Sequence, residues 1–166
     1  MSEAGVEKYR QRISLEKVAV CALIWAAAMA ATGAASLLWT RDWALDGQAR
    51  LLIGIFAAGG LIGFPAARLL LGMVPDRWTS TRRFSSAFIL IGAATVGFTA
   101  LFFALQFRAY YAQWHSDHAS TRLLFETVFT ILSAFYQFLV LGLRLYIPFG
   151  LLALIVAAWA YAQRRI

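Results

Sequence analysis

The densest set of ligating side chains lies in Trp114-His115-Ser116-Asp117-His118, with Glu126 downstream. His115 and His118 stand three positions apart, a spacing that brings two imidazoles to one side of a helical turn. Asp117 between them, or Glu126 below, would complete a Zn²⁺ or Cu²⁺ site. A closed site needs three or four ligands and hydrogen bonds that orient the imidazoles, whereas exposed histidine pairs are common. The plainer reading is a polar loop in which Asp117 caps a helix or pairs with Arg122.

Other chemistry is missing from the sequence. No Asp, Glu or His falls within residues 18–39, 51–74 or 84–107, so a proton relay or a carboxylate-held ion has no members there. The chain has one cysteine, Cys21, which excludes an internal disulfide, an Fe–S cluster and a dithiol couple. Haem held between two intramembrane histidines is excluded as well, because His115 and His118 share one loop. No HExxH, phosphate-binding loop or Ser/His/Asp set is visible. The expectation is a protein that is not an enzyme and carries no cofactor.

A second polar constellation has helical spacing. Arg122, Glu126, Thr130, Ser133, Gln137 and Arg144 fall within about 80° of one another at 100° per residue, and the rest of that surface is Leu, Phe, Val and Ile. Arg144 is the strongest single candidate, since a guanidinium near hydrocarbon costs at least ~2.5–3.5 kcal/mol unless it snorkels or is paired. Snorkelling to the head groups is the plain outcome, and a lipid phosphate or an acidic residue of a partner is the functional one.

The elements that must position these residues follow from composition. With 166 residues, 61% hydrophobic and 14% charged, the chain departs from the balance of soluble domains and of disordered chains alike. It reads as one integral membrane domain, 1–166, with lipid as its solvent. The net charge of +7 is no nucleic-acid signature, because the basic residues sit in short clusters between apolar runs.

Spans are expected at about 18–39, 51–74, 84–107 and 145–162, each near the ~20 residues that cross a ~30 Å core. The first is read as a retained helix, since its apolar run is too long for a signal peptide and follows Glu3, Glu7 and Glu16. The 40 residues from 123 to 162 are twice what one crossing needs, so an amphipathic or bent helix at about 122–143 is expected on the outer side before the last span. Pro148 suits the first turn of that span or a kink. The fold class is thus an all-α, four-span helical bundle.

Four spans put ten basic residues on one side, among them Lys8, Lys17, Arg68, Arg82, Arg83 and Arg164. Only Arg41, Arg50, Arg108 and Arg122 fall on the other, with Arg144 unassigned. The richer side is expected to be cytoplasmic, with both termini inside, in a multi-pass protein of the bacterial inner or plasma membrane. A fifth span would weaken the asymmetry to nine against six. Small-residue ridges are expected to be the contact faces: Ala22, Ala26, Ala30 and Ala34 in the first span, Gly59, Gly63 and Ala67 in the second, Ala93 and Gly97 in the third.

Three functions are weighed. The leading one is a non-catalytic small subunit that supports a larger membrane complex. In layout the chain resembles the small subunit of TRAP-type transporters, and a basic VPDRW…RR stretch, Val74 to Trp78 with Arg82 and Arg83, stands before the third span. The resemblance implies a transporter subunit. The acidic pair usual before the second span is replaced here by Leu45-Asp46-Gly47-Gln48. The second function is a stand-alone or homo-oligomeric transporter or channel lined by the stripe from Glu126 to Arg144. The third is a metal-handling protein or enzyme using His115, Asp117 and His118.

Overall fold

A computed structural model describes residues 3–39, 44–74, 78–112 and 121–163. Every regular element among them is helical: α1 (Glu3–Leu38), α2 (Gly47–Leu71), α3 (Ser80–Ala112), α4 (Thr121–Gln137) and α5 (Phe149–Gln163). Between α4 and α5 the helix continues as a π turn (Phe138–Gly142) and then a 3₁₀ turn (Leu143–Tyr146).

Four helical stretches are long and apolar enough to cross a membrane: Leu15–Leu38, Gly47–Leu71, Ser80–Tyr110 and Phe125–Tyr146. Helix α5 is apolar but shorter, with 15 residues, or roughly 22 Å. By length, then, the fourth long apolar helix is the segment expected to be interfacial, and the expected last span is the short one. The packing sorts them differently. Helix α2 lies between α1 and α3, α3 continues onto α5, and a thinner α1–α5 contact closes the ring. Helix α4 stands outside this ring and leans on α3.

Local chemistry sets the ends. Asp46 starts α2 as its N-cap, its carboxylate accepting the Ala49 N–H at 2.8 Å, so the single acidic residue before the second span serves the helix end. Thr79 does the same for α3, accepting from the Arg82 N–H at 3.4 Å. Tyr146 ends the fourth helical stretch, Ile147 is extended, and a cis bond leads to Pro148, two residues before Gly150. The chain was expected to divide at Arg144; it divides at Ile147.

The glycines of α2 define its contacts. A methyl on Gly59 would lie 2.8 Å from the Thr99 Cα, and one on Gly63 would lie 2.8 Å from the Thr95 Cα. Gly60 faces the other way, where a methyl would meet Met29 at 2.9 Å and the Ala26 backbone at 3.2 Å. Three glycines therefore let α2 approach α1 and α3 at once, the close backbone contact on which association in lipid depends.

The ridge expected on α3 is not its contact face. Ala93 and Gly97 are exposed, and a methyl on Gly97 would meet nothing within 4 Å. The buried positions are Ala87, Ile91, Thr95, Thr99, Ala100 and Ala104. The small side chains are supplied by α2, which leaves room for threonines on α3. On α1, Ala22 and Ala26 are buried while Ala30 and Ala34 are half-buried. A ridge at spacing four turns 40° per step, about 120° over three steps, so it cannot hold one face of a straight helix. Burial moves instead to Met29, Thr32, Ser36 and Leu37.

Candidate functional site

The ring encloses a hydroxyl seam that the sequence reading missed. Trp25 Nε1–H donates to Thr95 Oγ1 at 3.0 Å, across α1 and α3. Tyr146 O–H donates to Thr99 Oγ1 at 2.8 Å, and the Thr99 hydroxyl donates to the Thr95 carbonyl at 2.7 Å. Ser36 Oγ–H donates to the Leu145 carbonyl at 2.6 Å. The Tyr146 ring packs on Phe56 with centroids 4.7 Å apart. Among the described residues no buried side-chain polar atom lacks a partner. A seam in which each buried polar atom has a partner ties elements together. Threonine and serine hydrogen-bond across helices where hydrocarbon offers no alternative, which makes this a packing device.

The signal for it was present but weak. Thr95 and Thr99 are four apart, as are Thr32 and Ser36, yet the partners Tyr146 and Leu145 lie 47 and 109 residues away. No periodicity connects positions so distant in sequence.

The polar stripe of α4 faces the other way. Ala134, Phe138 and Gly142 are buried, and Phe138 meets Phe103 with centroids 5.9 Å apart. Glu126 and Thr130 are half-buried beside this face, and the Thr130 hydroxyl donates to the Glu126 carbonyl at 2.7 Å. Ser133, Gln137 and Arg144 are exposed. On the far side Phe125, Phe129, Leu132 and Tyr136 are exposed too, with 57–69% of their surface accessible. The stripe is thus on the outer surface of the chain, not inside a passage through it.

Arg144 does not continue the stripe at uniform phase. The Leu143 N–H donates back to the Phe138 carbonyl, five residues away, and a turn so widened advances less per residue than an α turn. The cause is local: the Phe138 ring folds over Gly142, where a methyl would come within 2.5 Å of it. Arg144 then sits in the 3₁₀ turn, its carbonyl accepting the Ile147 N–H at 3.2 Å.

His115, Asp117 and His118 lie outside the described residues, as does the Arg122 side chain. Among the described residues no group of three His, Cys, Asp or Glu could hold a metal ion. No protein-family model, no curated protein and no solved structure matches this chain.

Proposed function

We propose that the chain is a non-catalytic subunit of a larger membrane assembly, docking through α4. Support comes from one observation: among the described residues α4 packs chiefly on α3, and its Ser133 and Gln137, with Arg144 in the turn beyond, are exposed. Lipid tails offer these groups no hydrogen bonds, and a partner helix does. In this reading α1, α2, α3 and α5 form the four-span core, both termini are cytoplasmic, and Lys17, Arg68 and Arg83 mark the inner end. A transporter small subunit is the most specific form of the proposal.

A photo-crosslinking side chain at Gln137, followed by gentle-detergent purification at native abundance, tests it. One foreign polypeptide captured in near-stoichiometric amount is the expected result. The same crosslinker at Leu101, exposed on α3, should capture much less. Capture of nothing but lipid from Gln137 would refute docking.

The exposed stripe also favours a second reading, in which several copies enclose it as a pathway. Crosslinks between Gln137 residues of identical chains, with flux in liposomes, would decide for that one.

A further inference from the structure

The thin α1–α5 contact leaves a half-open groove of about 300 Å³ midway along α1 and near the end of α5. Its walls are apolar: Val18, Cys21 and Ile24 from α1, Phe64 from α2, Ile91 from α3, Ala157 and Ala160 from α5. Trp25, fixed by its bond to Thr95, adds a ring to the lining. Lys17 and Arg68 supply the charge, and among the described residues no carboxylate lines the groove.

Arg68 stands over an aromatic ring. Its guanidinium lies 5.6 Å from the centre of the Tyr161 ring, and the Arg83 guanidinium lies 5.4 Å from the same ring. The Tyr161 hydroxyl donates to the Leu71 carbonyl at 3.4 Å, tying the ring to the end of α2. The volume is at the lower end of the range for small-molecule pockets, enough for part of an acyl chain.

We infer that this groove is a binding site for an anionic phospholipid, its phosphate between Lys17 and Arg68 and one acyl chain along Cys21, Ile24 and Ala160. Charge complementarity selects the head group, and the apolar walls select a lipid over a free anion. The site uses α1, α2, α3 and α5 and nothing of α4, so it stands whether or not α4 docks a partner.

The single cysteine makes the test direct, because Cys21 lines the groove. Alkylation of Cys21 by N-ethylmaleimide is timed in the purified protein, in detergent mixed with phosphatidylglycerol, phosphatidylcholine or inorganic phosphate. Phosphatidylglycerol should slow alkylation, and the concentration for half-protection should rise about fivefold for each cation removed, in Lys17→Gln and in Arg68→Gln. Lys17 is exposed, so Lys17→Gln keeps the test decisive if Arg68→Gln fails to fold. Equal protection by phosphatidylcholine, protection by inorganic phosphate alone, or no protection by any of the three would each overturn the inference.

Discussion

Ser36, two residues before the end of α1, donates a 2.6 Å hydrogen bond to the carbonyl of Leu145, where the fourth helical stretch ends. The carbonyls of a last turn have no helical partner, and where they are buried they need one. Ser36 therefore ties the end of α1 to the turn that precedes α5. Ser36→Ala should cost about 0.5–2 kcal/mol, visible as a lower midpoint of thermal unfolding in mild detergent. An unchanged midpoint would mean that this carbonyl finds water or another donor.

Gly59 and Gly97 make a matched pair. Gly59→Ala pushes a methyl against the Thr99 backbone and should destabilise by roughly 1–3 kcal/mol or more, since backbone cannot rotate aside. Gly97→Ala, into open space, should change stability by less than about 0.5 kcal/mol. Unfolding of both variants in one detergent checks the contrast, and equal losses would contradict the α2–α3 packing.

Tyr146 contributes a ring and a hydroxyl that can be separated. Tyr146→Phe keeps the contact with Phe56 and loses only the bond to Thr99, a cost of about 0.6–1.7 kcal/mol. Tyr146→Ala loses both and leaves a cavity, at about 3–5 kcal/mol. The ratio of the two losses, read from unfolding curves, reports how much of the joint is packing.

Side-specific reporters fused after Ile166 and inserted between Trp114 and His115 address the orientation. The first should read as cytoplasmic and the second as extracytoplasmic, as four spans require. If both read on one side, α4 crosses as a separate span.

Much of this was legible in the residues. Composition points to lipid as the solvent, because 61% hydrophobic residues exceed the share that soluble domains carry. The apolar lengths locate α1, α2 and α3, and Gly59 and Gly63 on α2 were picked out as contact residues from spacing alone. Local patterns of this kind survive because a helix satisfies its own backbone and presents a regular face.

What tertiary structure decided lies where neighbours outweigh periodicity. Thr95 and Thr99, not Ala93 and Gly97, face α2, because the room is made by glycines on the other helix. The phase of Arg144 depends on Phe138 folding over Gly142, a turn that uniform 100° steps cannot anticipate. Cys21, Arg68 and Tyr161 come from three separate helices and meet only because α5 closes the ring loosely against α1. Solvent and helix lengths are properties of segments, whereas seam, stripe and groove are properties of pairs of surfaces, and only packing brings those together.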